Sequence, residues 1–96
     1  MAKQYDRSAE DLGNVVGLEH VNVLVPDQQG PQEIAIDDTH LYWSNEVEGS
    51  VNRVAKRGGP ATALARNQQR PYGVCVDTKY VYWVAYREGS TKRTAK

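Results

Sequence analysis

"PQEIAIDDTHLYWSNEVEGSVNRVAK" (31–56) lies over "PYGVCVDTKYVYWVAYREGSTKRTAK" (71–96) without a gap, at a spacing of forty residues. Ten of the 26 positions are identical, among them Asp37/Asp77, Tyr42/Tyr82, Trp43/Trp83, Gly49/Gly89, Arg53/Arg93 and Lys56/Lys96. The same offset holds upstream, where "VNVLVPDQQGP" (21–31) lies over "ATALARNQQRP" (61–71) and shares Leu24/Leu64, Gln28/Gln68 and Gln29/Gln69. A period in this range marks one supersecondary unit that buries its apolar faces against neighbouring copies. The chain therefore divides into a leader, 1–16, and a repeat region, 17–96, made of the units 17–56 and 57–96.

Each unit reads as four short strands. The first is "EIAI" (33–36) or "GVCV" (73–76), an apolar run of the kind covered on both faces. Asp37-Asp38-Thr39 and Asp77-Thr78-Lys79 supply turn chemistry, since an Asp side chain accepts hydrogen bonds from the backbone just after it. In "HLYWSN" (40–45) and "YVYWVA" (80–85), alternation sends Leu41 and Trp43 to one face and His40, Tyr42 and Ser44 to the other. A loop through Glu48-Gly49-Ser50 or Glu88-Gly89-Ser90 leads to "VNRVAK" (51–56) or "TKRTAK" (91–96). The fourth strand is "ATALA" (61–65), after Arg57-Gly58-Gly59-Pro60; its counterpart is "EHVNVLV" (19–25), near the N-terminus. Short strands at regular spacing with turns between them indicate an all-β fold. In the leader, Ser8 with Asp11 at the third position and Gly13 beyond predict one or two helical turns.

At 96 residues the chain is one small body of modest core. Its 40% hydrophobic and 25% charged residues are those of a globular protein, far from the signature of disorder. Nothing approaches the ~18 consecutive apolar residues of a membrane span. "MAKQYDRSAEDLG" lacks the apolar core of a secretion signal, so the expectation is a cytoplasmic protein. The single Cys75, in "YGVCVD" between valines, excludes an internal disulfide and reads as a small buried hydrophobe. The formal net charge of zero hides a polarity: residues 1–50 hold ten Asp/Glu against Lys3 and Arg7, and residues 51–96 hold ten Lys/Arg against Asp77 and Glu88. Complementary halves favour association between copies. The basic half also raises nucleic-acid binding through Arg87, Lys92, Arg93 and Lys96, against which stands the scattering of these cations through a strand pattern.

The units resemble blades of the YWTD-type β-propellers, whose repeat runs from an apolar strand ending in Asp, through a turn, to Tyr-Trp-Thr-Asp and a strand ending in basic residues. The resemblance covers residues 21–96 and is carried best by "IAIDDTHLYWSN" and "GSVNRVAKRGGP". The closing Thr-Asp is replaced by Ser44-Asn45 in one copy and Val84-Ala85 in the other. The resemblance implies two four-stranded blades per chain, whereas a propeller closes with about 4–8 blades. Since the second copy stops at Lys96, before its fourth strand, while a spare fourth strand lies at 18–25, exchange of that N-terminal strand between chains is expected. The result is a cyclic homo-oligomer in which each chain completes its neighbour's blade by strand addition. Six blades, hence a trimer, are favoured by the resemblance; tetramer and pentamer are the other closures considered.

Such a ring is a non-catalytic binding or interaction scaffold. A small molecule or protein ligand would enter its channel or lie on a face, and no cofactor is expected. Asp37 and Asp77 end the innermost strands and would ring one mouth of the channel, where clustered carboxylates bind cationic groups. The plainer role for both is to cap their own turns. His40 and Tyr80 stand on the polar side of the second strand, and Tyr72 and Tyr86 fall outside the repeated pattern; all four are candidate contacts. Trp43 and Trp83 are expected in the core. Arg53/Arg93 and Lys56/Lys96 are expected to be solvated or paired with Glu48/Glu88.

An enzymatic alternative rests on "GLEHVNVLVPDQ" (17–28), which resembles the opening strand of vicinal-oxygen-chelate (glyoxalase-like) domains. That resemblance, over residues 9–29, implies a metal-dependent enzyme using His20 as a ligand, but the later carboxylate ligands have no counterpart in the repeat. With His20 and His40 the only histidines, no metal-ligand cluster is spaced for a site. No phosphate loop, nucleophile elbow or catalytic constellation is present.

Overall fold

Why the chain turns where it does is clearest at the two aspartates. In the computed structural model, which describes residues 21–96, Asp37 Oδ1 accepts hydrogen bonds from the backbone N–H of Thr39 (2.9 Å) and His40 (2.8 Å). Asp77 Oδ1 does the same for Lys79 (2.9 Å) and Tyr80 (2.8 Å). Each carboxylate satisfies two donors that the hairpin would otherwise leave unpaired, so the strand before it can reverse within three residues.

The described residues form seven strands and no helix: β1 (Pro31–Ile36), β2 (His40–Asn45), β3 (Ser50–Ala55), β4 (Thr62–Ala65), β5 (Pro71–Val76), β6 (Tyr80–Ala85) and β7 (Ser90–Ala95). They build two antiparallel sheets, β1-β2-β3-β4 and β5-β6-β7. β4 belongs to the second sequence unit but completes the first sheet. The two sheets are copies down to their irregularities. β1 has a bulge between Pro31 and Ile34, and β5 has one between Pro71 and Val74. Positive φ falls at Asp27 and Asn67, at Gly30 and Arg70, and at Gly49 and Gly89. Gly49 (φ +78°) and Gly89 (φ +75°) close the turns into β3 and β7, each donating its N–H to the carbonyl four residues back at 2.8 Å.

Alternation gives each sheet two faces. In the first, Ala35, Tyr42 and Arg53 stand across from one another in register, while Ile34, Trp43 and Asn52 form the row on the reverse. In the second, Cys75, Tyr82 and Arg93 form one row and Val74, Trp83 and Lys92 the other. The sheets meet in a single way. Tyr42 and Val51 of the first join Val81 and Trp83 of the second in the core, flanked by Ala35, Leu64, Ala65, Val74 and Val76. They lie close at β1 and β5 and splay apart toward β4 and β7, a wedge. Burying Tyr42, Val51, Val81 and Trp83 contributes about 1.5–3 kcal/mol for each aliphatic or aromatic side chain, which makes this contact the main stabilising one.

Both tryptophans are in the core as expected, Trp43 at 8% and Trp83 at 3% exposure. Two other expectations need correction. β1 is not covered on both faces, because Ile34 and Ile36 remain 64% and 58% exposed. Cys75 is exposed, not buried. Its row is the one that the single sheet-to-sheet contact leaves outside. The leader 1–16, with its predicted helical turns, and residues 18–20 of the predicted spare strand lie outside the described residues. Residues 21–25 form no strand within the chain. Val21 and Val23 are exposed. Leu24 and Val25 instead line a groove with Ile34, Leu41, Trp43 and Val54 on the outer face of the first sheet. No described helix is long and apolar enough to cross a membrane.

Candidate functional site

Because β1 and β5 run side by side, the turns that follow them open into one cleft, lined by Ile36, Asp37, Asp38, Val76, Asp77 and Lys96 among others. The two aspartates singled out in the sequence therefore share a site. They differ in their partners. Asp37 Oδ2 accepts from the Tyr42 hydroxyl (2.7 Å) and from Lys96 Nζ (2.5 Å), the last residue of the second unit. The ammonium is the main cause of holding the Asp37 carboxyl far below the ordinary carboxylate range; the Tyr42 hydroxyl and the two turn amides add to it, against partial desolvation. Burial first, and the Asp37 carboxylate second, push Tyr42 up to about 12. Asp77 keeps the turn amides and the Tyr82 hydroxyl (2.6 Å) but has no side-chain cation in bonding contact among the described residues. The Tyr82 bond, then the amides, lower its pKa to about 2.

The basic residues expected to be solvated or paired with Glu48 and Glu88 divide: Lys56 and Arg93 are exposed, whereas Lys96 and Arg53 take other partners. Lys96 reaches across to Asp37, and Arg53 Nη1 donates to the Lys96 carbonyl at 2.7 Å. Glu48 instead accepts from Asn45 and Ser50 at 3.0 and 3.1 Å. Glu88 does take a basic partner, Lys92, at 2.9 Å. Arg93 lies over the Tyr80 ring, 4.1 Å from its centroid, where the ring's negative face attracts the guanidinium.

His40 and Tyr80 stand at the rim of the cleft, each through the turn amide that its Asp accepts. The His40 Nδ1 lies 2.8 Å from the Thr39 hydroxyl. Tyr72 and Tyr86 form an edge-on pair with centroids 5.6 Å apart. They sit at the start of β5 and the end of β6, the opposite end of the sheet from Asp77. The candidates thus fall into two groups: Asp37, Asp77, His40 and Tyr80 at one end, the tyrosine pair at the other.

Sequence reasoning passed over Gln28 and placed Lys96 among solvated, Glu-paired or nucleic-acid-binding cations, not beside Asp37. Gln28 Oε1 accepts from Trp43 Nε1 (3.1 Å) and Asn45 Nδ2 (2.7 Å), anchoring the segment before β1 to the first sheet. Its recurrence as Gln68 in an otherwise variable stretch was the available signal. Gln68 accepts from Lys92 at 3.3 Å, and Trp83 Nε1 is buried with no partner. Among the described residues no three His, Cys, Asp or Glu side chains come together as a metal site; His20 lies outside them. Comparison of the sequence with protein-family models and with curated proteins finds no match.

Proposed function

We propose that this chain is the two-blade protomer of a homo-oligomeric, YWTD-like β-propeller that serves as a non-catalytic interaction scaffold. The observation that carries the reading is a matched pair of vacancies. Among the described residues β7 has no strand on its outer side, whereas β3, its equivalent, has β4. Residues 21–25, the sequence counterpart of β4, are in no strand pairing among the described residues. An open edge presents a row of unsatisfied donors and acceptors, and a strand of the right pattern satisfies them. Residues 18–25 of one copy therefore add to β7 of the next.

The position of that segment supports the same reading. Leu24 and Val25 flank Leu41, Trp43 and Val54, as Leu64 and Ala65 of β4 flank Val81 and Trp83. The segment stands beside the first sheet where the outer strand of a preceding blade would stand. The wedge formed by the two sheets is the arrangement of adjacent blades around an axis, with β1 and β5 innermost. The Asp37/Asp77 cleft then repeats around one mouth of the channel. There, polar and cationic groups of a small molecule or a protein ligand meet carboxylates, Thr39 and Thr78 hydroxyls and the His40/Tyr80 rim.

The test is the mass in solution, by sedimentation or light scattering across a range of concentrations. A stable assembly of three chains, or of four or five, agrees with the proposal. A chain that stays single at all concentrations sinks it.

A further inference from the structure

The core contact between the two sheets of one chain has a counterpart that the described residues leave unused. The first sheet offers Ala35, Tyr42, Val51 and Arg53 to the second. Forty residues on, the same face of the second sheet carries Cys75, Tyr82, Thr91 and Arg93. Cys75, Thr91 and Arg93 are exposed, as is Val84 beside them at 42%. The second sheet offers Val74, Val76, Val81 and Trp83 to the first. Forty residues back, the same face of the first sheet carries Ile34, Ile36, Leu41 and Trp43, with Ile34 and Ile36 bare over the apolar groove.

The two bare faces are thus the two halves of an interface already present once within the chain. The polar contacts have the same property. Lys96 reaches Asp37 and its carbonyl receives Arg53. Lys56, the counterpart of Lys96, is exposed, and Asp77, the counterpart of Asp37, has no side-chain cation in bonding contact among the described residues.

We infer that a second copy of this chain docks its first sheet on the bare face of this chain's second sheet, pairing its Lys56 ammonium with Asp77 and its Lys56 carbonyl with Arg93. The occupant is a copy because the required surface, an apolar patch around two exposed isoleucines edged by a lysine at the correct position, is one the chain itself carries. The charges at the edge are opposite in sign, the Lys56 ammonium of one copy against the Asp77 carboxylate of the next. The contact is heterologous, with different patches on the two partners, so it propagates around a ring and does not stop at a pair. This inference rests on the homo-oligomer reading and adds to it a second surface, the sheet face beside the donated strand.

The lone cysteine reports on this surface directly, since Ala35, its counterpart, lies against the core. In the assembled wild-type protein, Cys75 should react with a maleimide at least tenfold more slowly than in the urea-unfolded chain. Lys56→Glu, which sets like charges against each other, should shift the mass toward the single chain at a fixed concentration. Arg57→Glu, the same charge change one residue further on, should leave the mass unchanged. Adding Asp77→Asn, which keeps the turn-capping oxygen, should restore part of the mass lost in Lys56→Glu. An assembly in which Cys75 labels as fast as in urea and Lys56→Glu has no effect overturns this interface while leaving strand donation standing. A protein of single-chain mass overturns both.

Discussion

At the residue scale, the aspartate that ends β1 does two jobs that the structure separates. Its Oδ1 caps the turn and its Oδ2 ties Tyr42 and Lys96 together. Because its folded pKa lies well below the ordinary value of 3.8, the carboxylate contributes stability that is fully present above that pH and is lost as pH falls below it. Asp37→Asn keeps the capping oxygen and removes the charge, so at pH 7 it should cost about 1–3 kcal/mol in urea melts, a gap that narrows below about pH 4. A gap unchanged between pH 7 and pH 3 would refute the ion-pair account.

Glycine tells a similar story. A Cβ on Gly49 would lie 2.6 Å from the Gln68 carbonyl oxygen, while one on Gly89 would meet nothing within 4 Å. Both have positive φ, so alanine at either costs about 1 kcal/mol of backbone strain, but Gly49→Ala adds a clash with backbone and should lower the melting point clearly more than Gly89→Ala. Trp83 offers a gain. Lys92→Asn copies the first sheet, where Asn52 stands at this place, and frees Gln68 to accept from Trp83 Nε1. One buried hydrogen bond regained should raise stability by about 1 kcal/mol, read as a higher urea midpoint at an unchanged slope.

At the element scale, the strands were legible from alternation and turn residues. β2 and β6 occupy the predicted 40–45 and 80–85, and the other five strands begin or end within a residue or two of their predicted runs. What could not be read was which faces the strands would cover, since Ile34 and Val74 are equivalent in pattern and yet only Val74 packs against the core. Coverage depends on a neighbour far away in sequence. The spare segment carries the test at this scale. Consecutive amides in a strand point to opposite sides, so Asn22→Pro together with Val23→Pro removes a donor from the pairing side whichever residue faces it. The double variant should lower the mass in solution toward the single chain while far-UV circular dichroism keeps the strand signal. Unchanged mass would show that residues 18–25 are not the donated strand.

At the scale of the whole molecule, the two sheets form an open wedge, and the chain is acidic over residues 1–50 and basic over residues 51–96. Electrostatic attraction between copies is screened over about 10 Å at 0.1 M salt. Raising salt from about 0.05 to about 0.5 M should therefore weaken the assembly by severalfold in sedimentation, with the apolar faces retaining part of the association. Of the candidate site, the sequence carried Asp37 and Asp77 through their place at the ends of the inner strands. It did not carry their unequal partners. Lys96 and Asp37 are 59 residues apart, and only the angle between the sheets brings the ammonium to that carboxylate and not to Glu88.

Local chemistry, then, was settled along the chain: a forty-residue period, an Asp capping each turn, glycines where φ turns positive, and tryptophans on the alternating apolar row. These depend on neighbours within a few residues, and such neighbours are written in order. The packing of one sheet on the other settled the rest, because burial and ion pairing act through space. It left Cys75 exposed, Ile34 and Ile36 uncovered and Asp77 without, among the described residues, the cation that its twin possesses, differences between two units of one pattern that no reading of either unit alone contains.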